Sequence, residues 1–263
     1  MSFFERTSGA GNFKKTEYLK LTPGTHIIRI IEEAGRKYYQ HWMGAGVECL
    51  GEDCPQCKLN RQIIDDIGGE YESAYKEARK VEGFVPRQPR GAVNVLDRTP
   101  IKICTNCGHE NRPISNVHPA VCSECGQSIL SIEPHVTNKV KVFSRAATVF
   151  EQIDDLDKSV LDENKEPVGV RNFDIALHVV GNQTVPVPTE NRDVVEFEEE
   201  SLFDLDRVAV SLTVEEMEKR MRGVSLSEIF KTRSSASESA TESVIQPSEE
   251  KVAEIQSEIS DLF

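Results

Sequence analysis

The sequence predicts a mainly β protein with added helices, built on a small elaborated barrel and carrying two metal-binding elements. Three observations lead there. Short β-branched or alternating runs recur along the first 180 residues, spaced as barrel strands are. Helical patterns with clear start and stop signals lie between and after them. The seven cysteines fall into one group of four and one group of three.

Taken in order, residues 1–16 are rich in Gly, Ser and Lys and read as a flexible N-terminal arm. Pro23 and Gly24 signal a turn, and residues 25–31 have the β-branched density of a strand. Residues 36–42 read as a second strand after the turn at 33–35. Pro55 suits the first position of a helix, whose apolar stripe is Leu59, Ile63, Ile64 and Ile67. Gly68 and Gly69 end it, and 70–81 read as a second, more polar helix. Residues 92–96 form a short strand, 135–143 another, 147–157 a helix, and 173–180 a further alternating strand. Thr213 with Glu216 makes a capping box for a helix that stops near Gly223. Ser225 with Glu228 starts a last short one. From 233 onward the chain has too few apolar groups to offset the entropy of ordering, so 233–263 is expected to be a disordered acidic tail.

The formal net charge of −13 argues at first against a nucleic-acid partner. Its distribution argues otherwise. Residues 1–150 hold 20 basic and 17 acidic side chains and 12 of the 17 aromatics. Residues 151–233 hold 10 basic against 20 acidic, and 234–263 hold 1 against 7. A mildly basic, aromatic-bearing body is followed by an acidic end, as in chains with a separate interaction tail. The plain alternative is an ordinary solvated acidic face. No run approaches the ~18–20 apolar residues of a membrane span, and the first residues lack the head and apolar stretch of a secretory signal. A cytoplasmic protein is the expectation, and cysteines there are metal ligands more often than disulfides.

Cys104 and Cys107 followed by Gly108, and Cys122 and Cys125 followed by Gly126, are two C-x-x-C-G knuckles. In each, a tight turn brings two thiolates together and Gly relieves the backbone. Four soft ligands suit tetrahedral Zn²⁺ with no open position, so the ribbon at 100–130 is expected to be structural. An iron–sulfur site or free thiols are the alternatives. The second group is Cys49, Cys54 and Cys57. Cys54 and Cys57 open the first helix, where thiolates are favoured, and His41 on the preceding strand would complete a His-Cys₃ tetrahedron. Two Zn²⁺ sites would then use every cysteine. A redox C-x-x-C, or reduced cysteines with His41 in the core or beside DNA, remain open.

Three stretches interleave cations with aromatic rings. They are Arg36, Lys37, Tyr38 and Tyr39 with Trp42; Arg79 and Lys80 through Phe84, Arg87 and Arg90; and Lys139, Lys141, Phe143 and Arg145. Cations neutralise phosphates and rings stack on unpaired bases without reading sequence. Alternation puts Lys139, Lys141 and Phe143 on one strand face. The plain alternative makes any one ring a core residue. The tip, with Ile259, Asp261, Leu262 and Phe263, is acidic and amphipathic and reads as a partner-recruiting end; a short helix over 252–259 packed on the body is the alternative.

The order of these features resembles the single-stranded DNA-binding proteins of T-even-type phages, the helix-destabilising replication proteins. The resemblance rests on the apolar strand, the basic-aromatic strand with His41, and Cys49 with Cys54, Pro55 and Cys57 opening a helix. It extends through the Asn-bearing strand at 93–96, the Lys- and Phe-bearing strand and the acidic end. It implies an OB-fold core, a five-stranded barrel, with a His-Cys₃ zinc subdomain. The layout would be an arm at 1–16, a first barrel part at 17–99, the ribbon inserted at 100–130, and the rest of the barrel with a helical extension at 131–232. It also implies no enzymatic activity, coating of single-stranded DNA in replication, recombination and repair, self-association along DNA, and replication or recombination proteins as partners of the tail. Two rival classes stay in view. One is a zinc-ribbon transcription or recombination factor that binds protein or duplex. The other is a zinc-dependent nucleic-acid enzyme, for which no H-E-x-x-H or H-x-E…C-x-x-C arrangement is present.

Overall fold

The computed structural model describes residues 16–233. The expected arm up to residue 15, the acidic tail from 234 and the tip residues Ile259, Asp261, Leu262 and Phe263 lie outside the described residues. The described residues divide into two compact units, one of residues 16–49 and 87–211, the other of 50–86 and 212–233.

The first unit is a mainly antiparallel sheet. Its strands are β1 (Gly24–Ile30), β2 (Arg36–Trp42), β3 (Gly46–Glu48), β4 (Gln88–Asp97), β7 (Lys139–Ala146), β8 (Ile175–Val180) and β9 (Gln183–Pro188). Between β4 and β7 a separate two-stranded sheet pairs β5 (Lys102–Ile103) with β6 (Glu110–Asn111). The main order is β3-β2-β4-β1-β8-β9, with β7 paired to β4. β4 is the hub: it pairs β2 along 88–92, β1 along 95–97 and β7 along 90–97. The pairing does not return to its start, so where a five-stranded barrel was expected the sheet is not closed into one. One physical reason is β9 at the end of the order. Its Pro186 and Pro188 cannot donate to a ladder, which suits an edge strand.

Both faces of the hub are covered. On one side Ile28, Ile30, Val93, Val95, Phe143, Ile175 and Leu177 pack with Val149, Phe150 and Ile153 of α3 (Ala147–Ser159). Gly91 permits this, since a Cβ there would lie 2.4 Å from the Phe150 ring. A second cluster joins Tyr38, Ala92 and Val142 to Phe203 and Ala209. Buried Asn94 pins that cover, accepting from the Phe203 amide at 3.1 Å and donating to its carbonyl at 2.8 Å. A strand buried on both faces reads as a continuous apolar run, which is the pattern of 92–96.

The second unit holds α1 (Pro55–Ile67), α2 (Tyr71–Ala78), α4 (Val214–Met221) and a helix over 226–233. The Thr213 capping box and the stop near Gly223 are as expected. The stripe on α1 differs. Its buried residues are Gln56 and Asn60, not the isoleucines. Gln56 donates to the Gly83 carbonyl at 2.8 Å and Asn60 to the Val85 carbonyl at 2.6 Å, so polar side chains fix the loop after α2. No helix among the described residues is long and apolar enough to cross a membrane.

Candidate functional site

Two clusters have the geometry of metal sites. In the first, one ligand atom each from Cys104, Cys107, Cys122 and Cys125 lies within 4.8 Å of the others. The two knuckles are copies of one turn. The Cys104 amide donates to the His109 carbonyl at 2.9 Å and the Gly108 amide to the Cys104 carbonyl at 2.8 Å. The Cys122 amide donates to the Gln127 carbonyl at 2.7 Å and the Gly126 amide to the Cys122 carbonyl at 2.9 Å. Gly108 and Gly126 have φ of 72° and 71°, the left-handed region where a side chain is strained. That is why each C-x-x-C is followed by Gly.

The surroundings favour thiolate at Cys122 and Cys125 and disfavour it at Cys107. Burial alone would raise Cys122, but the amides of Cys125 and Glu124 and the Asn111 side chain donate toward its sulfur and bring it down to about 6. Cys107 has a donor in the His109 amide, yet desolvation and the three neighbouring sulfurs push it up to about 12. Four crowded sulfurs thus share negative charge unevenly, and a cation among them would remove the conflict. Asn111 also accepts from the Ser123 amide at 3.0 Å, so the buried side chain orients the second knuckle.

The ribbon is stitched to the main sheet. The Ser115 amide donates to the Pro23 carbonyl at 2.9 Å, and the Thr25 amide to the Asn116 side chain at 2.8 Å. Arg112 pairs with buried Asp97, Lys139 pairs with Glu110, and Ile101 and His135 exchange backbone bonds at 2.9 Å. Residues 135–138, expected to open a strand, serve this attachment, and β7 starts at Lys139.

The second cluster is His41, Cys49, Cys54 and Cys57, whose ligand atoms also lie within 4.8 Å of one another. His41 and Cys54 are fully buried. The alternation of β2 breaks at His41: Tyr39 is exposed, whereas His41, two residues on, is enclosed. Both clusters could hold metal ions, and soft thiolate with imidazole is the donor set for it.

The basic-aromatic residues separate sharply. Tyr39 is 45% exposed and Trp42 60% exposed, and the exposed Arg87 guanidinium lies 3.5 Å from the centre of the Tyr39 ring. Tyr38, Phe84 and Phe143 are buried, which takes them out of the stacking set. Tyr38 bonds Ser144 through its hydroxyl at 3.2 Å, Phe84 meets Tyr75 edge-on, and Phe143 packs on Phe150. The physical reason is that alternation assigns residues to faces but not faces to solvent.

Several cations are engaged within the fold. Arg36 binds Glu48 at 2.6 Å and the Leu205 carbonyl at 2.9 Å. Lys37 pairs with Asp154 at 3.0 Å, which raises its ammonium above the ordinary value. Lys80 pairs with Glu77 at 2.8 Å, and Lys141 lies 3.7 Å from Asp97. Arg79 and Arg87 are exposed, while Arg90 and Arg145 are half-buried.

No protein-family model matches the chain, and no curated protein sequence matches it.

Proposed function

We propose that this chain is a sequence-independent single-stranded DNA-binding protein. It coats and protects exposed strands in phage-type replication, recombination and repair, and recruits partners through its acidic end. The observation that carries the reading is β2. There Tyr39 and Trp42 stand exposed, with Arg87 laid on Tyr39. Exposed rings beside cations give sequence-tolerant base stacking. The open antiparallel sheet then works as an OB-type binding surface, since such barrels are themselves partly open. Both clusters take Zn²⁺ in structural roles, because all four ligand positions come from the protein.

Trp42 is the only tryptophan, so its fluorescence reports on β2 directly. Unrelated single strands should quench it to the same extent, with affinity falling as salt rises. A preference for duplex, or no quenching by any single strand, defeats the reading. Metal analysis should find about two zinc ions per chain.

One observation favours a second reading. Ile114, Val117, Val121 and Leu130 of the ribbon are each more than half exposed. A zinc-ribbon factor that docks a protein would use such residues. It predicts that their replacement leaves strand binding intact.

A further inference from the structure

A cavity of about 390 Å³ opens at the end of β1, and none of its lining residues belongs to the metal clusters or the basic-aromatic stretches. Its size is at the small end of the ~300–1,000 Å³ range of ligand pockets. Arg29 and Ile31 line it from β1 and the residue after it, Arg171 from the turn at 170–172, and Arg192, Val195 and Phe197 from the segment after β9. All six belong to the first unit. Arg29 is 2% exposed and anchors the site. Its Nε donates to Asp174 at 2.8 Å, and its two Nη atoms donate to the carbonyls of Asp193 at 2.9 Å and Asn191 at 3.4 Å. A further donation reaches the Arg171 carbonyl at 3.5 Å. One buried guanidinium thus ties the backbone at 171 to that at 191–193, which brings Arg171 and Arg192 to the same cavity.

The acids near the cavity do not match its cations. Asp174 is shared, since Arg98 binds its second oxygen at 2.8 Å. Arg171 meets Glu33 at 3.2 Å, and that carboxylate is 90% exposed, where an ion pair is worth little. Asp193, which also lines the cavity, is 76% exposed and lies 3.9 Å from Arg98. Arg192 takes part in no ion pair among the described residues. Its guanidinium lies 5.0 Å from the centre of the Phe173 ring and donates from Nη1 to the Thr189 carbonyl at 2.5 Å and the Asn191 carbonyl at 3.4 Å. The group is held in place and its Nε and Nη2 stay open to a ligand. A planar guanidinium edge matches two oxygens of one oxyanion. Beside the cations the lining is apolar. Ile31 is buried, and Val195 and Phe197 are half-buried while Glu196 and Glu198 are exposed, the alternation of an extended segment with one sheltered face.

We infer that this cavity is a binding site for a small amphiphilic oxyanion, a carboxylate or phosphate monoester that carries an apolar body. The oxyanion takes the open edge of Arg192 with Arg171 beside it, and the body covers Ile31, Val195 and Phe197. Such a ligand answers both features of the lining: its charge balances the guanidinium groups, and its body removes apolar surface from water. The inference goes beyond strand binding, because none of these residues is a proposed strand contact.

The test is calorimetric titration of the full chain with octanoate, phenyl phosphate, inorganic phosphate and 1-octanol. Octanoate or phenyl phosphate should bind at one site per chain, and the tighter of the two tells a carboxylate site from a phosphate site. Inorganic phosphate and 1-octanol each carry half of the chemistry and should bind about tenfold more weakly or worse. The Arg171→Gln/Arg192→Gln variant should weaken the better probe by about tenfold or more, as for loss of a charge-assisted hydrogen bond. Phe197→Ala should weaken it by about fivefold, the effect of uncovering part of one aromatic side chain. Both arginines are exposed, so that variant should melt at the wild-type temperature; if it melts lower, the Phe197→Ala titration decides. Equal binding of octanoate and 1-octanol, or of phenyl and inorganic phosphate, overturns the inference. So does the absence of binding by either amphiphilic probe, or full binding by both variants. Displacement of the bound probe by a single-stranded oligonucleotide would merge the cavity with the strand surface and overturn it as a separate site. Probe binding in a chain that binds no single strand would keep this site and remove the DNA reading.

Discussion

β2 and β7 carry nearly the same sequence chemistry, with cations beside aromatic rings; both pair their cations with acids of the fold, and they differ in where their rings lie. β2 lies between the short β3 and one half of β4, and keeps Tyr39 and Trp42 in solvent. β7 pairs along β4, between α3 on one face and the 203–209 segment on the other, and its Phe143 is 1% exposed. Its Lys139 and Lys141 answer Glu110 and Asp97. Position in the sheet, not composition, decides whether a basic-aromatic strand keeps its rings in solvent or buries them.

The comparison breaks most easily at its apolar members. Phe143→Ala should destabilise the protein by about 3–5 kcal/mol, the range for emptying a packed aromatic site. Trp42→Ala should leave stability within about 0.5 kcal/mol, as for other surface changes. Denaturant melts of both variants check this, and equal losses would mean that the two strands are not different in kind. On strand affinity the order reverses. Trp42→Ala and Tyr39→Ala should each weaken single-strand binding by about 1–3 kcal/mol, the usual worth of one stacked base. Phe143→Leu, which keeps the core filled, should leave affinity unchanged in the same titration.

Much of this was legible in residues. The strand at 25–31, the helix from Pro55 to the glycine pair, the Thr213 capping box and the grouping of cysteines depend on local signals: β-branched density, Pro and Gly placement, and ligand spacing. Those signals act within a few residues, so they survive without tertiary context. What failed depends on distant partners. Phe143 and Tyr38 alternate as surface residues would, and only Phe150 and Phe203, packed from elsewhere in the chain, decide that they are core. The isoleucine stripe of α1 gave way to Gln56 and Asn60 because a loop beyond α2 needed its carbonyls satisfied. Asn94 carried a signal that could have been used, since an Asn inside a buried apolar run implies a polar partner. β9, with two prolines in six residues, carries no strand signal, and the same prolines suit the edge at which the sheet stops.

The smallest expected effect concerns Lys139, and it tests whether β7's cations are structural. Burial of Glu110 by itself raises its carboxyl, but the Lys139 ammonium, with Lys141 and Arg112 behind it, holds it below the ordinary value of 4.5. A depressed carboxyl contributes stability that is fully present above its unfolded value and is lost as pH falls through the folded one. Lys139 is about half exposed, so solvent screening limits the pair to about 0.5 kcal/mol. Lys139→Met should therefore melt slightly below the wild type at neutral pH, and the gap should close as the solution is acidified past the Glu110 midpoint. Because the ammonium is already committed to Glu110, the same variant should bind single strands with nearly the wild-type salt dependence. A slope flattened by about 0.7 would mean that Lys139 releases Glu110 to hold a phosphate, and β7 would then count as a second working surface beside β2.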